Sequence, residues 1–171
     1  MTHVEVPGAM PTPDHERRDD LGRLVAVSWH GDGDGQASGP PRWLVAVDGS
    51  ACSLRAVTMV ASLAAGDQGA GVDLVHVQPW LNKEAAEAEL ARRGWQVTAQ
   101  ARQALDAASI SWRLHVLMGE GAPEIANLAD ALESRGIAIG SRGLTATESL
   151  LLGSVAYRLV HLARAPVLLV R

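Results

Sequence analysis

The 171-residue chain has a single cysteine, Cys52, so it can form no internal disulfide. A disulfide-stapled scaffold is excluded, and a reducing compartment is the expectation. No apolar run approaches the roughly 18 residues that a membrane-spanning helix needs. Met1–Asp20 is mostly polar and lacks the charged-then-apolar order of a signal peptide, so a cytoplasmic protein is expected. Lysine occurs once, as Lys83, and no Gly-x4-Gly-Lys-Ser/Thr phosphate loop is present. There is no Gly-x-Gly-x-x-Gly after a strand and no Gly-x-Ser-x-Gly nucleophile elbow. The six histidines show no i, i+4 pairing and have no neighbouring cysteine, which argues against zinc. Asp32-Gly33-Asp34 starts like a calcium loop, but Gln36, Ala37 and Trp43 fall where an acid, a glycine and a closing glutamate are needed.

Net charge is −4, which argues against nucleic acid as the main partner. The five tryptophans are scattered without the basic interleaving of a single-strand binder. The charge is uneven. From Ser134 onward Arg135, Arg142, Arg158, Arg164 and Arg171 face one acid, Glu148, a local balance of +4 against −8 for the remainder. A positive third in an acidic protein suggests a small anionic ligand there.

Residues 1–41 read as a mobile, Pro- and Gly-rich extension with a short strand at 23–28, where Leu24-Val25-Ala26-Val27 interrupts polar sequence. Regular alternation begins at residue 42. Trp43–Val47 reads as a buried strand and 51–65 as a helix capped by Ser50. Val72–Val77 is a second strand, stopped by Pro79. Residues 83–108 are helix formers, with Gly94 marking a kink or break. Trp112–Met118 is a third strand, and a helix with Pro123 in its first turn runs to about Glu133. Gly136–Ile139 is a fourth strand, a helix follows over about 154–164, and Pro166–Val170 is the fifth strand. Such alternation predicts a mostly parallel sheet, with ligands bound beyond the carboxyl ends of its strands.

Two strand ends carry suggestive chemistry: Asp48 after the first, and Gly140-Ser141-Arg142-Gly143 after the fourth. Gly140 and Gly143 are separated by two residues, Gly143 and Gly153 by nine, and Ser154 opens the last helix. Glycines let backbone N–H groups approach a phosphate, and a helix N-terminus adds unpaired donors and partial positive charge. Ser154 can cap that helix or donate to a phosphate oxygen, while Arg142 and Arg158 add charge.

The pattern Gly-x2-Gly-x9-Gly-Ser over Gly140–Ser154 resembles the nucleotide-binding motif of the universal stress protein family. Val45-Ala46-Val47-Asp48-Gly49-Ser50 resembles that family's first strand and turn, and Leu74-Val75-His76-Val77 its second strand. Leu151–Val155 and Ala165–Val170 are similar to its C-terminal end, so the likeness covers 42–171. The resemblance implies a three-layer, Rossmann-like α/β sandwich of the adenine nucleotide α-hydrolase type. Its sheet would have five mostly parallel strands in the order 3-2-1-4-5. It also implies ATP with Mg²⁺ as ligand and a homodimer formed through the strand at 166–170. Carried over by position, Asp48 would contact the ribose and hold Mg²⁺, flanked by Val47 and Gly49. The Val77 backbone would meet the adenine edge. Gly140 would approach the ribose or α-phosphate, with Ile139, Ser141 and Arg142 beside it in the nucleotide site, and Gly143, Gly153, Ser154 and the amide of Val155 would cradle the phosphates.

Two positions depart from the family's pattern: Arg135 replaces an acid before the fourth strand, and Ala156 replaces a hydroxyl found in some ATP binders. The expected function is a nucleotide-dependent stress or signalling module, not an efficient enzyme. The alternatives are an ATP-independent dimerisation module of the same fold and a slow ATPase.

Overall fold

The apolar run after residue 42 becomes strand β3 (Trp43–Ala46), in which Leu44 and Val45 are fully buried. Ser50 caps the next helix, α1 (Ala51–Ala65), by accepting the Ser53 amide at 3.2 Å. The chain continues through β4 (Val72–Gln78), α2 (Lys83–Val97), α3 (Ala99–Ala107), β5 (Trp112–Met118), α4 (Gly121–Ala131), β6 (Gly136–Gly140), α5 (Ser154–Leu162) and β7 (Val167–Val170). Two strands precede these, β1 (His15–Arg18) and β2 (Leu24–His30). This computed structural model describes residues 9–31, 40–66, 70–144 and 152–171. The calcium-like start at Asp32 and the middle of the glycine motif, 145–151, lie outside the described residues. No described helix is long and apolar enough to cross a membrane.

The strands form one sheet in the order β1-β2-β5-β4-β3-β6-β7. Strands β3 to β7 pair in parallel, whereas β2 runs antiparallel to β5 and β1 antiparallel to β2. The expected five-stranded sheet is therefore corrected to a seven-stranded mixed sheet, with a different order overall. The added strands come from the segment read as a mobile extension. Trp29 is 2% exposed, stacks on Trp95 at 5.1 Å between ring centroids, and donates from Nε1 to the Pro11 carbonyl at 2.9 Å. Burying a tryptophan with its N–H satisfied offsets the ordering of a short strand. Strand β1, His-Glu-Arg-Arg, is exposed throughout, so charge guards this edge of the sheet.

Helices cover both faces. Trp29, Val57, Leu90 and Leu105 belong to a core with α1, α2 and α3; Leu44, Val75, Ile125, Ile137 and Leu159 belong to a second core with α4 and α5. Gly94 does not break its helix. It lies buried within α2 against Val116, whose side chain a Cβ at 94 would overlap. The break falls at Thr98, whose hydroxyl donates to the Gly94 carbonyl at 2.8 Å.

A buried ion pair lies inside the sheet. Asp73, 1% exposed, accepts Nε and Nη2 of Arg113 at 2.6 and 2.7 Å. Burial raises its carboxyl pKa, but the adjacent His115 and Arg113 outweigh burial and hold it below the usual range.

Candidate nucleotide site

The parallel strand order places β3 between β4 and β6, and their carboxyl ends open onto a cavity of about 580 Å³. Ten of the twelve residues expected at a site line it: Val47, Asp48, Val77, Ile139, Gly140, Arg142, Gly143, Gly153, Ser154 and Val155. Gly49 and Ser141 stand outside. Gly49 holds φ at +83°, a left-handed turn that glycine adopts without strain, and its open side faces Val97. Ser141 is buried behind the cavity, its amide donating to Val170 at 2.7 Å and its carbonyl accepting the Gly153 amide at 2.7 Å. Its role is to join β7 to the start of α5.

Asp48 stands at the centre. Its Oδ1 accepts the Ser50 amide at 2.9 Å, and its Oδ2 accepts the Leu144 amide at 3.2 Å. A Cβ at Gly143 would lie 2.7 Å from that same Oδ2, so the loop approaches the carboxylate only because residue 143 has no side chain. The neighbouring backbone is held by His76, whose Nδ1 lies 2.8 Å from the Val47 carbonyl. Burial lowers the His76 pKa, keeping the ring neutral with Nδ1–H donating.

Gly140 lines the cavity, but packing also demands a glycine there. A Cβ would sit 2.7 Å from the Cys52 backbone carbon and 2.8 Å from the Ser53 nitrogen, where α1 starts. The Ser154 expectation also changes. Gly153 is the N-cap of α5, with φ −70° and ψ 157°, and Ser154 is the first helical residue, exposed at the cavity. The N–H groups of Ser154, Val155 and Ala156 have no acceptor within their helix. Arg158 turns elsewhere, donating to Glu120 at 2.9 Å.

Several lining residues escaped the sequence reading as site members. Ser50 and Ser53 bring the start of α1 to the cavity, and Gly121 brings the start of α4. A Cβ on Gly121 would lie 3.2 Å from Val155, so α4 and α5 meet closely there. Val75 and Pro79 extend the β4 wall. Alternation marks Val75, which shares a strand face with Val77; for Gly121 the only signal is a turn. The cavity thus has two unlike sides. On the β4 side lie Val75, Val77 and Pro79; on the β6 side lie Gly140, Arg142, Gly143 and the start of α5. Three helix N-termini with partial positive charge meet in it, which favours an anion. For a metal, Asp48 is the one carboxylate among the described lining residues, and no cluster of three ligating side chains occurs among the described residues.

The universal stress protein YxiE of Bacillus subtilis is 27% identical over 146 residues, covering 76% of this chain and 98% of its own length. A universal stress protein from Archaeoglobus fulgidus, solved in complex with dAMP, superposes with a TM-score of 0.61 at 23% identity, covering 78% of this chain and 98% of that one. A universal stress protein family protein from Arabidopsis thaliana with AMP bound gives 0.58 at 16% identity, covering 77% of this chain and 91% of that one. The model of the universal stress protein family matches residues 41–171. The chain belongs to the universal stress protein family.

Proposed function

We propose that this protein binds an adenine nucleotide, ATP with its Mg²⁺, between the carboxyl ends of β4 and β6. The observation that carries the reading is the two-sided cavity, with an apolar slot at one end and glycines, Arg142 and a helix N-terminus at the other. The base would lie against Val77 and Pro79, its edge meeting the Val77 backbone. The ribose would reach Asp48 and the backbone near Gly140. The phosphates would take the amides of Gly143, Ser154 and Val155 and the Arg142 guanidinium. The relatives solved with dAMP and AMP support an adenine base.

Mg²⁺ fits here only as the nucleotide's own ion. It keeps its waters and needs one or two carboxylates beside phosphate oxygens, and Asp48 supplies one. Bound so, it would neutralise phosphate charge.

The protein would act as a homodimer through β7. In the sheet order β7 is an end strand, and its Leu169 is 40% exposed. On α5, Tyr157, Val160 and Leu162 add exposed apolar surface. An apolar edge of this kind is an aggregation hazard unless paired. Calorimetric titration with Mg-ATP, AMP and inorganic phosphate tests the nucleotide reading. Binding of ATP and AMP with one site per chain is expected, and no binding of either would overturn it. Light scattering tests the dimer, for which twice the chain mass is expected.

A further inference from the structure

The β1–β2 hairpin lies wholly outside the segment 41–171 that matches the family, yet its turn reaches the chain that walls the cavity. The turn is closed by Asp19, whose Oδ1 accepts the Arg23 amide at 2.9 Å and whose Oδ2 accepts Arg23 Nε at 3.0 Å. Arg23, so oriented, donates from Nη1 to the Leu81 carbonyl at 3.3 Å and lies 4.8 Å from the Trp80 ring centroid. From the other side, Lys83 Nζ donates to the Leu21 carbonyl at 3.4 Å. The Leu81 amide is in turn 3.1 Å from the Met118 sulfur. The stretch between Gln78 and α2 is therefore clamped from the hairpin. Pro79, one residue before Trp80, lines the cavity at the end assigned to the base.

We infer that the hairpin positions the base-side wall of the nucleotide site, with Arg23 as the positioning residue and Lys83 as the second tether. The inference rests on the nucleotide reading above. Arg23 touches no nucleotide. It acts through Trp80 and Leu81 by holding the Pro79 segment at one distance from β3. A wall held at one distance selects among bases, whereas a loose wall accepts either purine at lower affinity, because ordering it must then be repaid on binding.

The test uses the full chain as wild type, Arg23→Ala and Lys83→Met, each titrated with Mg-ATP and Mg-GTP. Hydrogen exchange of the β2 amides shows whether the hairpin stays paired. Arg23→Ala should weaken ATP by roughly tenfold, the scale of one lost hydrogen bond with its stacking contact. The ATP-to-GTP preference should fall toward one, and Lys83→Met should move both quantities the same way by less. If Arg23→Ala detaches the hairpin, Lys83→Met, which lies on α2 and leaves every residue of the hairpin and its turn intact, decides. Unchanged ATP affinity in both variants overturns the inference while leaving the nucleotide reading standing. So does weaker binding with an unchanged preference, or a wild-type preference already near one. If the wild type binds neither nucleotide, the nucleotide reading fails and this inference fails with it.

Discussion

Asp48 and Leu144 lie far apart in sequence, yet Asp48 Oδ2 accepts the Leu144 amide at 3.2 Å. This bond joins the end of β3 to the loop beyond β6, and Asp48 Oδ1 meanwhile holds the Ser50 amide at the start of α1. One carboxylate thus ties the start of α1 to the loop beyond β6. Asp48→Ala removes both acceptors. The expected outcome is a loss of stability of about 1–2 kcal/mol, two net hydrogen bonds in a partly exposed setting, measured by urea unfolding. Nucleotide affinity should fall as well. Asp48→Asn, which keeps one acceptor oxygen, should cost less stability than alanine.

Gly94 sets helix propensity against packing. Alanine at an open helix position would gain about 1 kcal/mol over glycine. Here the new Cβ meets the Val116 side chain, and overpacking of a core costs about 1–3 kcal/mol. Gly94→Ala should therefore destabilise the protein, and adding Val116→Ala should recover part of the loss. A stabilised Gly94→Ala would show that α2 shifts freely over the sheet.

Acid should loosen the N-terminal hairpin. Burial lowers the His30 pKa below its ordinary 6.5, and the nearby His15, Arg113 and His115 lower it further, against the opposing pull of Asp14. The His15 ring packs at a tilt against that of His30, 5.1 Å between centroids. A histidine that resists protonation when folded takes its proton more readily when unfolded. Stability is then undiminished above about pH 6.5 and falls as pH drops below that value. The buried His76 acts in the same direction. Thermal unfolding at about pH 7.5 and about pH 5.5 should show the lower midpoint in acid, and His30→Gln should narrow the difference.

From Trp43 onward the elements were legible because each announces itself locally. Runs such as Val72–Val77 end at a proline, and helical stripes such as Leu54, Val57 and Val60 repeat at helical spacing. Of the hairpin only β2 was legible, as the short strand read at 23–28; β1 and the pairing were not. Strand β1 has no apolar residue, and β2 gains its partner, β5, from the far half of the chain. Local composition holds no record of a pairing at that distance. Gly94 and Thr98 show the same limit: propensity marks the glycine as the weak point, while tertiary contact with Val116 makes the glycine necessary and leaves the break to Thr98. In the site, the spacing of Gly140, Gly143, Gly153 and Ser154 was visible, but the reason for each glycine was not. Gly140 faces the start of α1, Gly143 faces Asp48, and Gly153 rather than Ser154 caps α5.

The central claim is that the cavity beside Asp48 and Gly143 takes ATP. Thermal unfolding with and without Mg-ATP, on wild type and Gly143→Val, tests it most directly. Valine at 143 would drive its side chain against Asp48 Oδ2 and displace the loop from the carboxylate without touching the core. At about one hundred times the dissociation constant, ATP should add ~2.7 kcal/mol to the wild type, a shift of roughly 5–11 °C for a domain of this size. That shift should vanish in Gly143→Val, whose midpoint without ligand should fall by no more than the loss of the single Asp48–Leu144 bond allows. Equal shifts in both proteins, or none in either, would contradict the account.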